Sequence, residues 1–375
     1  MFPVRPSRFQ LSGHRGTVID SRRRFLGIAG LSLAAGWIGT RDSVLHLITV
    51  EPFRVPGATD LAALTGATAW LNAAPLTAAD LHGKVVLVDF WTYTCINWLR
   101  TLPYVRAWAA QYKHQGLVVI GVHTPEFSFE HDITNVRQFA KTMGIEYPIA
   151  IDNDRAIWNG FANHYWPALY FLDATGRMRN HHFGEGNYEQ SETTIRQLLA
   201  DGGNRGIRQR GPVGARGPEV GADWRNLKSP ETYIGHAKAE HFASPGGAAV
   251  NTPQTYQLPE RLRLNRWALF GQWTVTSEAA TLNAAGGRIA YRYHARDVHL
   301  ILGPVSQGQS VRFRVFLDQE PVRSAHGTDV DDRGYGRVAE PRLYQLIRQT
   351  GLIRERQFEI EFLDAGVVAY AFTFG

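Results

Sequence analysis

The chain has 375 residues, 44% of them apolar and 20% charged, which is ordinary globular composition and enough length for two separately cored domains. Its net charge of +6 is carried by one end: residues 1–40 hold six Arg against one Asp, and the remainder holds 34 basic against 33 acidic residues. Nothing in that remainder points to nucleic acid as a partner, and a single Cys excludes an intramolecular disulfide.

In chain order, Ser21-Arg22-Arg23-Arg24-Phe25-Leu26 leads into an apolar stretch ending at Ile38. A charged start, a short apolar run and small residues are the parts of an export signal. The twin arginine followed by Phe-Leu resembles the Tat address. The apolar run, Leu26–Ile38, spans 13 residues, short of the roughly 20 that cross a bilayer. Residues 1–40 therefore predict an exported protein, periplasmic, in the cell envelope or extracellular, tethered to the membrane if the signal stays uncleaved. Oxidising compartments favour paired cysteines, so a lone one there is either chemically employed or a liability. Residues 41–66 form an irregular lead broken by Pro52, Pro56 and Gly57.

Residues 67–202 read as an α/β domain. Val85–Phe90 is a continuous Val-rich run, the mark of a buried central strand. A helix is expected from Cys95 to about Tyr112, with Leu99, Leu102, Val105, Trp108, Ala109 and Tyr112 on one face. Leu117–Val122 and Tyr147–Ile151 are further strands, and Ile133–Met143 and Ile157–Tyr165 helices. Ala168–Leu172 turns through Asp173-Ala174-Thr175-Gly176 into Met178–Phe183, and Glu192–Leu199 closes the domain as a helix. This order fits a mixed sheet with helices on both faces.

Residues 203–227 are a Gly/Arg/Pro linker, in which Arg205, Arg208, Arg210 and Arg216 read as solvated charges. From 228 to 375 the pattern changes to short β-rich segments: Arg288–His294, Val298–Leu302, Val311–Leu317, Phe358–Phe362 and Val367–Phe374. Pro341–Ile347 reads as a short helix or turn among them. Short strands without helical crossovers predict an all-β sandwich. Its aromatics Trp267, Trp273, Tyr291 and Tyr293 could line a sugar platform, but alternating aromatics of this kind are expected in a core.

The chemistry converges on Cys95. It follows a buried strand and the aromatic turn Trp91-Thr92-Tyr93-Thr94, and it opens a helix, where unsatisfied backbone N–H groups and the helix dipole favour thiolate. Asp89 is a carboxyl inside an apolar strand, costly without a purpose or a partner. Tyr165-Trp166-Pro167 precedes a strand, as expected if Pro167 follows a cis bond in a tight turn.

These residues resemble the active site of thioredoxins, with Asp89 as the buried acid, Trp91 as the aromatic, Cys95 as the attacking cysteine and Pro167 as the cis-proline that receives extended substrate. Pro103 matches the proline inside the active-site helix. More narrowly, Trp91–Asn97, Arg100–Arg106, Gly121–Phe127 and His181–Gly186 resemble the soluble part of the DipZ branch of TlpA-like thioredoxins. So do Ser229–Tyr233, Leu264–Leu269 and Ala369–Gly375, which look like that branch's appended sandwich, similar to carbohydrate-binding or galactose-binding-like modules. The resemblance covers roughly residues 68–375.

It implies a thiol oxidoreductase with Cys95, Asp89 and Pro167 at its centre and Trp91, Trp98 and Trp166 in contact with substrate. Its partners are protein or small-molecule disulfides and thiols, an external thiol donor such as a separate membrane electron-transfer protein, and a glycan for the sandwich. Two departures stand out. An export signal takes the place of the branch's membrane portion, and Trp98 takes that of the resolving cysteine. A mixed disulfide at Cys95 then waits for an outside thiol, and Asp89 loses its duty toward a second sulfur. An indole in a thiol-sized space also calls for compensating small residues nearby.

The alternatives are a redox-inactive thioredoxin-fold binding protein and a one-cysteine peroxidase. Thr92 echoes the peroxidase threonine, but Val88 stands where its proline belongs. Asp329-Val330-Asp331-Asp332-Arg333-Gly334 reads as an acidic surface turn rather than a calcium loop. No cofactor and no metal are expected.

Overall fold

The computed structural model describes residues 60–204, 207 and 220–375. The expected signal region, 1–40, and most of the expected lead and linker lie outside those residues. Among the described residues, no helix is long and apolar enough to cross a membrane.

The first sheet is built from β1 (Ala69–Leu71), β2 (Val85–Trp91), β3 (Leu117–His123), β4 (Ile149–Ile151), β5 (Ala168–Leu172) and β6 (Met178–Phe183). Their spatial order is β1-β4-β3-β2-β5-β6. β2, β3 and β4 run parallel, and the flanking strands pair antiparallel to their neighbours. Alternation along β2 explains the layering. Val85, Leu87 and Trp91 face a core shared with α1 (Ile96–Tyr112), α2 (Ile133–Thr142) and α4 (Tyr188–Asp201). Val86, Val88 and Phe90 face a second core containing α3 (Ala156–Gly160). This is the thioredoxin-like arrangement, with helices on both faces of a mixed sheet.

Local chemistry trims several expectations. The third helix ends at Gly160 instead of Tyr165 because Ala162 takes a left-handed φ of 48°. Asn163 then caps the exit, accepting the N–H groups of His164 and Tyr165. The end of the expected lead is a 3-10 turn, Asp60–Gly66, whose Leu61 and Leu64 are buried in the second core.

The remaining strands are β7 (Thr232–Tyr233), β8 (Pro253–Tyr256), β9 (Arg266–Val275), β10 (Ala280–Leu282), β11 (Arg288–Tyr293), β12 (Asp297–Pro304), β13 (Val311–Leu317), β14 (Glu320–Pro321), β15 (Tyr335–Val338), β16 (Arg342–Arg348), β17 (Arg356–Phe362) and β18 (Val367–Phe374). All pair antiparallel. β9 folds the sheet onto itself: Arg266–Phe270 pair with β11, and from Gly271 onward it pairs with β8 and β10. Gly271 turns the corner at φ 92°, with Gly287 packed against it where a Cβ would sit 3.0 Å away.

One expectation changes here, and another, that the sandwich aromatics are core, holds. Pro341–Ile347 is no helix or turn; residues 342–348 form β16, held by antiparallel pairing with β12. Trp267, Trp273, Tyr291 and Tyr293 are all buried in the sandwich core, so they form no exposed sugar platform. Of the acidic turn, Asp329 pairs with Arg342 at 2.6 Å and Asp331 accepts backbone N–H groups of Arg333 and Tyr335.

The two sheets share apolar contacts. Ala279, Ile301, Leu343, Tyr370 and Ala371 of the sandwich belong to the same buried cluster as α1 and β2.

Candidate functional site

Cys95 sits at the N-cap of α1, in an extended conformation (φ −79°, ψ 109°). Its N–H bonds Thr92 O at 3.2 Å, and its carbonyl accepts Leu99 N–H at 3.0 Å as the helix begins. Its side chain is partly exposed. The Sγ lies 3.7 Å from the carbonyl oxygen of Trp166. The Trp166–Pro167 bond is cis, so the turn before β5 faces the thiol. Tyr165, two residues before Pro167, and Phe183 are 38% and 39% exposed, with ring centroids 4.8 Å apart.

Behind the thiol lies a buried polar assembly. Asp89 points to the α1 side of β2 and is fully buried. Trp98, one turn into α1, donates its indole N–H to Asp89 Oδ2 at 3.0 Å. The other oxygen, Oδ1, has no hydrogen-bond partner among the described residues. Burial pushes the Asp89 carboxyl up to about 7, opposed by the indole N–H. Trp98 stacks on Trp91 at 4.3 Å, and Trp91 meets His123 edge-on at 4.8 Å. Burial, with His131 a second cause, pushes His123 down to about 3, so the imidazole is neutral.

The small residue that makes room is Gly121, opposite Asp89 on β3. A Cβ there would stand 2.9 Å from Trp91 Nε1 and 3.0 Å from the Tyr147 ring. β2 can carry the Trp91 indole because its neighbour on β3 has no side chain there.

A second buried carboxylate is Glu130. It accepts the Thr94 hydroxyl at 2.6 Å on Oε1 and the N–H groups of Glu126 and Phe127 at 2.7 and 3.0 Å on Oε2. Burial pushes it up to about 6, against the hydroxyls of Thr92 and Thr94. Thr94 is the residue before Cys95, so this carboxylate fixes the loop that presents the thiol. Glu130 was not among the residues singled out from sequence. Its one signal is a charge within the aromatic loop Phe127-Ser128-Phe129.

Of the sequence candidates, the half-buried Cys95 meets the buried Trp166–Pro167 turn, while Asp89, Trp91 and Trp98 meet deeper in the core. Substrate contact is expected of all three tryptophans. Trp91 and Trp98 are instead fully buried and Trp166 is 9% exposed, because their indoles fill the core below the thiol. The Trp166 ring packs on Trp158 at 4.3 Å under the Arg155 guanidinium. Among the described residues no group of His, Cys, Asp and Glu is placed to hold a metal ion.

Comparison with known proteins follows the two sheets. Residues 60–181 match the AhpC/TSA family, and residues 229–375 match the family described as the thioredoxin-like C-terminal domain. Over 243 residues the chain is 42% identical to protein DipZ of Mycobacterium bovis, a match covering 64% of this chain and 34% of DipZ. The chain thus spans about a third of that relative's length. Over 139 residues it is 33% identical to the thiol-disulfide oxidoreductase YkuV of Bacillus subtilis, covering 37% of this chain and 93% of YkuV. A thioredoxin-like protein solved in its oxidised form is 31% identical, over 36% of this chain and 90% of its own, with a TM-score of 0.34.

Proposed function

Because the chain belongs to the thioredoxin-like thiol-disulfide oxidoreductases, we propose that it is an exported member that exchanges disulfides through Cys95 alone. The thiolate attacks one sulfur of a substrate disulfide. A Cys95–substrate disulfide forms, and the second substrate sulfur leaves as a thiolate that takes up a proton. An external thiolate then attacks the substrate sulfur of that adduct, returning Cys95 as thiolate and carrying the product away in a new disulfide. Sulfur and electrons balance, and the outside thiol acts as resolving partner.

One observation carries this reading: the position three residues after Cys95 holds a buried indole bonded to Asp89. The thiol therefore has no second sulfur within its own helix turn. Asp89 serves as the acceptor that keeps Trp98 in place. The cis turn at Trp166–Pro167, facing Sγ, is the proposed landing place for extended substrate backbone. The twin-arginine segment supports export.

The deciding experiment compares wild type with Trp98→Cys in disulfide reduction, with and without added small thiol. Wild type is expected to turn over only with the thiol, and the variant to escape that requirement in part. Inactivity of both under all conditions, with no adduct trapped at Cys95, would leave a redox-inactive binding protein.

The match of residues 60–181 to the AhpC/TSA family favours one other chemistry. Here the Cys95 thiolate attacks a peroxide oxygen, becomes a sulfenic acid and releases water or an alcohol. Peroxide consumption lost in Cys95→Ser would support it.

A further inference from the structure

The sandwich touches the redox loop at three places, and each leads back to Cys95 within a few bonds. Tyr233 of β7 donates its hydroxyl to Glu126, and Glu278 accepts the Ser128 N–H at 2.6 Å. Glu126 and Phe127 in turn donate their N–H groups to Glu130, which holds Thr94 beside Cys95. Tyr370 of β18 packs on Phe127 and Phe129, with centroids 5.3 and 4.7 Å apart. Phe129 then lies 6.0 Å from Tyr93, two residues before the thiol.

A fourth contact grips α1 itself. Arg100 is 5% exposed and five residues after Cys95. Its guanidinium reaches Glu185 at 3.3 Å, the carbonyl of Val220 at 3.0 Å and Asp297 at 3.9 Å. Asp297 is fully buried at the start of β12 and is held by Arg296 and Arg348 at 2.5 and 3.0 Å. A buried, many-partnered ion cluster tolerates little displacement of its members. The residue before Cys95 and the helix after it are thus both tied to the second sheet.

We propose that the sandwich is a positioning element of the redox site, acting through Tyr233, Glu278, Tyr370 and Asp297 on the Thr94–Arg100 segment. This rests on the reading of Cys95 as the reactive group. It departs from the view of the sandwich as a separate ligand-binding module. None of the four residues touches substrate; each acts through Glu130, Phe129 or Arg100.

The test uses the full chain. Tyr370→Ala removes the aromatic tie, and the double variant Tyr233→Phe with Glu278→Met removes both polar ties, since neither new side chain offers the hydroxyl donor or the oxygen acceptor, while nearly keeping side-chain size. Two readouts apply: the alkylation rate of Cys95 by iodoacetamide across the neutral pH range, and amide hydrogen exchange of residues 94–99. Alkylation is expected to change about threefold. Exchange in residues 94–99 is expected to rise about tenfold relative to β3. Tyr370→Phe, which keeps the ring, should restore both.

Folded variants with wild-type alkylation and exchange would overturn the proposal. If Tyr370→Ala does not fold, the double variant decides alone. Neither readout requires a disulfide substrate. A wild type that fails to exchange disulfides while the variants still alter the thiol defeats the oxidoreductase reading only. A wild type that exchanges disulfides while the variants leave the thiol unchanged defeats the positioning role only.

Discussion

The sandwich core and the core beneath Cys95 both bury large aromatic side chains but spend their indole N–H groups differently. In the sandwich, Trp267 and Trp273 spend their indole N–H groups on nearby backbone carbonyls at 2.9 and 2.8 Å, and the rings serve packing alone. Beneath Cys95, Trp98 spends its N–H on a carboxylate, and Trp91 Nε1, Asp89 Oδ1, Tyr147 OH and both His123 nitrogens have no partner among the described residues. Buried polar groups left unsatisfied are costly. The sandwich also holds such atoms, among them Tyr293 OH and both His299 nitrogens, so what sets the core beneath Cys95 apart is the buried indole–carboxyl bond between Trp98 and Asp89.

That contrast can be broken or sharpened by mutation. The largest expected effect is structural: Trp273→Ala should cost about 3–5 kcal/mol in urea unfolding. It should leave Cys95 alkylation at the wild-type rate, and a changed rate would mean that the two cores are not distinct. Trp98→Phe keeps a ring on Trp91 but strips Asp89 of its donor. A loss of about 1–3 kcal/mol is expected, and an unchanged urea midpoint would show the indole N–H to be idle.

Asp89 sets a pH signature. Its carboxyl titrates near about 4 in an unfolded chain and near about 7 when folded. Between those values the native protein keeps a proton that the unfolded chain has shed, so stability falls as pH rises through the window and levels off above it. The slope from this one group is at most about 1.4 kcal/mol per pH unit. Asp89→Asn should flatten that component, read as the variant-minus-wild-type difference in urea stability from acid to neutral pH. Gly121→Ala should fall toward the lower end of roughly 1–3 kcal/mol, because the added methyl presses on the Trp91 and Tyr147 rings in a packed core that must shift by a few tenths of an ångström to admit it. Thermal unfolding would measure it, and a neutral result would mean that Trp91 and Tyr147 give way freely.

The first sheet was legible because its strands are short apolar runs and its helices have clear faces; β2, β3, β5 and β6 lie where the pattern put them. Cys95 and Asp89 stood out by interrupting those patterns, and Trp98 through the resemblance to a dithiol site. What depends on distant partners was not legible. Glu130 reaches Thr94 across 36 positions in sequence, and Asp297 meets Arg100 only because β12 and α1 are brought together. Residues 342–348 carry little strand signal of their own and become β16 by pairing with β12. The room for the Trp91 indole follows from a missing side chain at Gly121, which no local periodicity records.

The bond between Trp98 and Asp89 also bears on how such a site could change in evolution. Tryptophan and cysteine codons differ at one base, so regaining a dithiol is a short genetic step. For the folded protein it is a long one. Replacing the indole opens a void between α1 and β2 and strips a buried carboxyl of the donor that holds it, so a lineage taking that step needs prior substitutions that fill the space.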